Sequence, residues 1–132
     1  MSTTPYRPGQ VLPRLDLSPY FDVVLKARRG PDGVEMDPQD AFAAEGENMC
    51  PSISAALALE ACYWALGIED VEVSSYTAFP MRPALTSGGM IVARGNVLKT
   101  GRQVSICEAN IYQDNKLISR VMVNFTVIRQ QA

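Results

Sequence analysis

Residues 51–66, Pro-Ser-Ile-Ser-Ala-Ala-Leu-Ala-Leu-Glu-Ala-Cys-Tyr-Trp-Ala-Leu, constrain the fold of this chain more than any other stretch. They are dense in good helix formers. Pro51 suits a first turn, because it lacks the amide hydrogen that would be unpaired there anyway. Gly67 supplies the usual stop. The segment therefore predicts a helix over 51–66. It is apolar on nearly every side, so it belongs inside the molecule and not on a surface. A helix of about four turns enclosed in this way needs a large partner surface. Only a curved sheet in this chain can supply it.

The material for that sheet follows at once. Residues 71–79, 89–98, 103–113 and 116–128 are rich in β-branched side chains. In the last segment Leu117, Val121, Val123, Phe125 and Val127 are expected on one face, interrupted by Ser119, with Ile118, Arg120, Met122, Asn124 and Thr126 on the other. Asp114-Asn115 reads as a hairpin turn and residues 99–102 as another. The connections are too short for crossover helices, so neighbouring strands are expected to be antiparallel, in a meander. Earlier in the chain, residues 20–27 read as a first strand, 28–33 as turn, 34–36 as a short return strand and 46–48 as loop. Asp37-Pro38-Gln39-Asp40 could open a helical turn. The fold class is α+β, one long central helix wrapped by a curved antiparallel sheet.

At 132 residues the chain is long enough for one domain, and a domain of this size buries about two-thirds of its unfolded surface. Residues 1–19 hold Pro5, Pro8, Pro13 and Pro19 and read as an N-terminal arm, leaving 20–132 as the domain. With 12 basic and 14 acidic residues the net charge is -2, so no basic field argues for nucleic acid or an anionic membrane. The longest nearly apolar run, 53–66, is too short to span a bilayer. No stretch near Met1 resembles the apolar core of a signal peptide. Cys50, Cys62 and Cys107 are few, odd in number and widely spaced, which points to a reducing, cytoplasmic setting and to no structural metal.

The chain contains no histidine. No Ser-His-Asp triad, Cys-His dyad or His-ligated metal can be built from it. Chemistry here must rest on carboxylates, hydroxyls, amides and backbone dipoles. Glu60 is the obvious candidate. It sits among alanine, leucine, cysteine and aromatic residues in the middle of the helix, and an ionised carboxylate is costly to bury without a partner or an opening to water. Ser54, six residues earlier and about 600° around the axis, does not share its face, so no polar stripe leads Glu60 to solvent. An ion pair with Arg82 or Arg94 is the structural alternative. Such a carboxylate could act as a general base on water or as a nucleophile on a carbonyl. The amides at the helix start would be its oxyanion partner. Glu60 lies eight residues, about 12 Å of helix, beyond Ser52. One carbonyl cannot touch both within a single subunit, and a dimer would close the gap.

The second half of the chain resembles the hotdog-fold acyl thioesterases, especially the branch related to phenylacetate-pathway thioesterases. The resemblance rests on residues 75–84 with the corner Met81-Arg82-Pro83-Ala84, on 90–99, on Gly101-Arg102 and the strand after it, and on 116–127. It implies hydrolysis of an acyl thioester carried on coenzyme A or an acyl carrier protein, with no cofactor beyond that carrier. Glu60 would be base or nucleophile. The family commonly opens its helix with His-Gly-Gly; here Pro51-Ser52-Ile53 takes that place, leaving the Ser52 amide as oxyanion donor. The position fifteen before the acid often holds a water-positioning amide; here it is Glu45, with Asn48 close by. Arg82, Lys99 and Arg102 are candidates for binding substrate phosphates. A homodimer or dimer of dimers is expected. A non-catalytic acyl-thioester-binding protein of the same fold is the alternative, and a dehydratase is disfavoured because those enzymes pair a histidine with their acid. Cys50, without a base, is a poor nucleophile. Gly88-Gly89 lacks phosphate-loop spacing and reads as a turn. Tyr63 and Trp64 read as core or dimer contacts.

Overall fold

The computed structural model describes residues 25–67 and 71–128. Strands β1 (Arg28–Gly30) and β2 (Gly33–Met36) come first, followed by a 3₁₀ turn over Asp40–Phe42. The short pair β3 (Ala43–Glu45) and β4 (Asn48–Met49) leads into helix α1, Pro51–Leu66. Four long strands complete the order: β5 (Val71–Pro80), β6 (Ile91–Lys99), β7 (Val104–Gln113) and β8 (Lys116–Val127). Six of the strands form one antiparallel sheet in the order β1-β2-β6-β7-β8-β5, and the helix packs on one face of it. The expected α+β architecture is what the chain adopts. None of the helices among the described residues is long and apolar enough to cross a membrane.

The helix has the bounds its sequence predicts, and Gly67 ends it in the left-handed conformation at φ 68° with its amide on the Tyr63 carbonyl. Its inward side, Leu57, Ala58, Ala61 and Cys62, is at most 3% exposed. Opposite lie Ala93 of β6, Cys107, Ala109 and Ile111 of β7, and Val121, Val123 and Phe125 of β8. Tyr63 meets the edge of Phe125 with ring centroids 4.9 Å apart. Small residues let the layers approach closely. A Cβ on Gly95 would lie 2.4 Å from the Ala61 carbonyl oxygen, so only glycine fits where β6 passes the helix.

Several expectations need correction. Of the strand expected over 20–27, residues 20–24 lie outside the described residues and 25–27 are not strand; β1 occupies Arg28–Gly30 instead. The turn shrinks to Pro31-Asp32 because Arg28 pairs across the hairpin with Glu35 at 3.5 Å and reaches Asp37 at 3.3 Å. The helical turn begins at Asp40, after Gln39 in an extended conformation. In 46–48 only Gly46-Glu47 is turn, with Gly46 at φ 58°, and Asn48 starts β4.

The meander also holds only in part. β6, β7 and β8 follow one another, and Asp114 and Asn115 take the positive φ values of a two-residue hairpin turn. β5, however, pairs with β8 and not with β6. Three strand spacings, roughly 14 Å, separate β5 from β6, and residues 81–90 are long enough to cross them. On β8, Val121, Val123 and Phe125 face the core as the alternation predicts. Ile118 does not face out: a register shift opposite Ile111 and Tyr112 leaves it 3% exposed beside buried Ser119. Such a bulge resets which side chains face inward.

The close contact at Gly95 gives a stability prediction. Gly95→Ala should unfold at lower denaturant concentration, by about 1–3 kcal/mol of overpacking cost. Equal midpoints for the variant and the parent in a urea titration would show that the helix can shift to make room.

Candidate active site

The start of α1, the β3–β4 pair and the corner after β5 enclose a cleft of about 470 Å³. Met49, Ala78, Met81, Ala84 and Ile118 give it apolar walls; Glu45, Asn48, Ser54, Arg82 and Ser119 are its polar lining. Backbone bonds tie the walls together. Met49 N–H donates to the Ala84 carbonyl at 2.8 Å, and Met81 and Arg82 N–H both donate to the Ile118 carbonyl, at 2.9 and 3.2 Å. Neither Glu45 nor Arg82 takes part in an ion pair among the described residues, although both line one cleft. An acid, an amide and a guanidinium thus converge on an apolar hollow at the positive end of a helix dipole.

Cys50 occupies the N-cap position; its carbonyl accepts from the Ile53 N–H at 3.0 Å, and its side chain makes no capping hydrogen bond. The Ser52 hydroxyl lies 3.1 Å from Cys50 Sγ. That contact, aided by the nearby Ser52 amide, holds the Cys50 thiol below the ordinary thiol range. Cys62 behaves differently, while a hydrogen bond to Cys62 holds the Cys107 thiol down. Contact with Cys107 and burial push the Cys62 thiol up, and both residues are fully buried between helix and sheet.

Glu60 is 1% exposed, among the largest fully buried side chains of the core. Its Oε2 has no hydrogen-bond partner among the described residues, while the residue as a whole does make a polar interaction. Glu60 is not part of the cleft wall. It lies six residues, about 9 Å along the axis, beyond Ser54. Of the sequence candidates, then, Glu45, Asn48 and Arg82 surround one cleft, Ser52 stands on the helix turn beside it, and Glu60 is deeper. Lys99 and Arg102 are elsewhere. Lys99 pairs with Ile106, and the Arg82 amide bonds to Ile118 near the Ile111–Ser119 pair. Five residues of β7, roughly 17 Å, separate those two levels.

Two features escaped the sequence reading. Ser54 lines the cleft, and Gln113, 5% exposed, fastens the loop behind it. Gln113 continues the inward row Ser105, Cys107, Ala109, Ile111, so a long amide at an inward position was the available signal. A second hollow, of about 510 Å³, lies between β1–β2, β6 and the far half of α1. There Arg29 stacks over Trp64 at 4.2 Å.

Comparison with solved structures decides the fold. A Bacillus halodurans protein solved with CoA superposes with a TM-score of 0.75 at 16% identity, over 87% of this chain and 80% of that one. A thioesterase from Haemophilus influenzae gives 0.67 at 22% identity, over 80% of each chain. A phenylacetic-acid-degradation-related protein from Ralstonia eutropha gives 0.72 at 18% identity, over 89% and 92%. The chain has the hotdog fold. At these identities the likeness is one of architecture, and in the hotdog α1 is the enclosed helix and the six-stranded sheet its wrap. No protein-family model and no curated protein sequence matches the chain.

The thiol environments predict selective reactivity. In the native protein Cys50 should be alkylated first, Cys62 and Cys107 only on unfolding. The rate at Cys50 should reach half its plateau below the pH typical of a free thiol, and Ser52→Ala should move that midpoint up. Following iodoacetamide labelling by mass spectrometry against pH checks this; labelling of all three thiols at one rate would contradict it.

Proposed function

We propose that this hotdog protein hydrolyses acyl thioesters, of coenzyme A or an acyl carrier protein, at a site shared between two copies of the chain. The observation that carries the reading is Glu60: a carboxylate 1% exposed at the centre of the enclosed helix. A carboxylate held there serves as a general base on water or as a nucleophile on the thioester carbonyl. The Ser52 amide, in the first turn of α1, is the oxyanion donor. Glu45 or Asn48 orients the water, and Arg82 at the cleft meets a phosphate of the carrier. Lys99 and Arg102 bind substrate only if a second copy brings the far end of the sheet to the cleft.

The 12 Å or so of helix between Ser52 and Glu60 is what requires the second copy. Two features favour one. β5 is an edge strand of ten residues, exposed from Ser74 to Pro80, with Tyr76 at 49% and Phe79 at 47%. Ala56, Leu59, Tyr63 and Leu66 form a partly buried apolar stripe along α1. Edge pairing of two β5 strands would set two helices side by side and bring the start of one toward the Glu60 of the other. The likeness to a thioesterase and to a protein solved with CoA supports the substrate class. A second reading, acyl-thioester binding without hydrolysis, is favoured by the helix start, where Pro51-Ser52-Ile53 offers no glycine for a close carbonyl approach.

Thiol release from a panel of short, long and aromatic acyl-CoAs separates the two. Release by the wild type should fall about 10²–10⁴-fold in Glu60→Gln, with the unfolding midpoint retained. Full activity in that variant would sink the assignment of Glu60. Saturable acyl-CoA binding with no release from any substrate, acyl carriers included, would establish the binding protein.

A further inference from the structure

Gln113 ends β7 on its inward face, where the strand runs out from under the helix. Its side-chain amide is bonded at both ends. Leu85 N–H donates to Oε1 at 2.8 Å, and Nε2 donates to the carbonyls of Leu85 and Gly89 at 2.8 and 2.9 Å. Both amide hydrogens are used, and the oxygen accepts from the backbone. The loop wraps so closely around this group that a Cβ on Gly88 would lie 2.6 Å from Nε2. Asp114 adds a bond to the Gly89 amide at 3.3 Å.

The same loop holds the cleft. Thr86 N–H donates to the Glu47 carbonyl at 2.8 Å, and the Ser87 hydroxyl donates to the Glu47 carboxylate. Leu85 bridges to Asn48, and the Ala84 carbonyl accepts from Met49. Through residues 84–89, Gln113 is therefore linked to Asn48 on one wall and to the Arg82 corner on the other, though it lines no part of the cleft itself.

We infer that Gln113 is a positioning residue: its three hydrogen bonds fix the loop 85–89, and so set the separation of Asn48 and Arg82 across the cleft where substrate binds. The inference rests on the reading of that cleft as an acyl-thioester site. Arg82, which meets the carrier, acts through binding and is read in KM, whereas Asn48, on the water, also reaches kcat.

Two variants test it. Gln113→Leu keeps the volume and removes all three bonds; Gly88→Ala leaves Gln113 in place and pushes on its amide, and serves alone if the first does not fold. Amide hydrogen exchange over 85–89 should quicken in both, and KM for the best acyl-CoA substrate should rise about tenfold, with a smaller fall in kcat through Asn48. Unchanged exchange over 85–89 overturns the inference. So does an unchanged KM, whether or not kcat falls. The wild-type assay decides the underlying reading separately. If the wild type binds acyl-CoA without releasing thiol, hydrolysis is wrong, and the Kd ratio of variant to wild type replaces KM: about tenfold weaker binding supports the inference and equal binding overturns it. A wild type that neither hydrolyses nor binds acyl-CoA overturns both.

Discussion

Everything in this hotdog depends on enclosing a helix that has no polar side. Burial of such a helix is favourable only if its whole circumference finds apolar surface, and a flat sheet covers one side alone. On the side it covers, the sheet meets that demand with small residues where the layers are closest, Ala93, Gly95 and Ala109 against Ala58 and Ala61, and with Phe125 and Ile111 where there is room. The match is one of shape, so a single added methyl at Gly95 is felt by the backbone of the helix. Glu60 stands inside this apolar enclosure, where a leucine would pack without the cost of dehydrating a carboxylate. An acid there carries a dehydration cost that a leucine would not, and the proposed chemistry needs one.

The topology then makes the cleft. Because β5 lies beyond β8, the chain must cross the end of the sheet to begin β6, and residues 81–90 run past the start of α1 as they do so. That crossing brings Arg82 and Ala84 opposite Glu45, Asn48 and Ser54. It also needs fixing, since it belongs to neither strand. The anchors are the Ile118 carbonyl at one end, Met49 and Glu47 in the middle, and Gln113 with Asp114 at the other. Had β5 lain beside β6, a tight hairpin would have replaced the crossing and no wall would face the helix start.

Much of this was legible in the sequence, for a physical reason. Local signals set the helix: Pro51 at its start, Gly67 at its end and good formers between. Runs of β-branched residues marked the four long strands, and period-two alternation marked most of β8. Partner choice was less legible, because alternation tells which face a strand buries and not which strand lies beside it; hence β5 beside β8. Ile118 was misplaced since a bulge interrupts the period without a glycine or proline to announce it. At the site, Glu60 stood out as the wrong residue type for its place, and Glu45, Asn48 and Arg82 came from the family resemblance. The grouping with Lys99 and Arg102 was beyond reach, because distance along a sheet depends on register. Gln113 went unnoticed because its partners are backbone atoms some 25 residues away, which no side-chain pattern encodes.

The central claim is a site shared by two subunits, one giving the Ser52 amide and the other Glu60. Subunit complementation tests it most directly. Ser52→Pro removes the amide and Glu60→Gln the base, and each alone should be inactive. When the two are unfolded together and refolded as a mixture, half the dimers are mixed and each carries one intact site, so roughly a quarter of wild-type thiol release should return. Mixed dimers that form, as shown by native mass spectrometry, yet stay inactive would contradict the account.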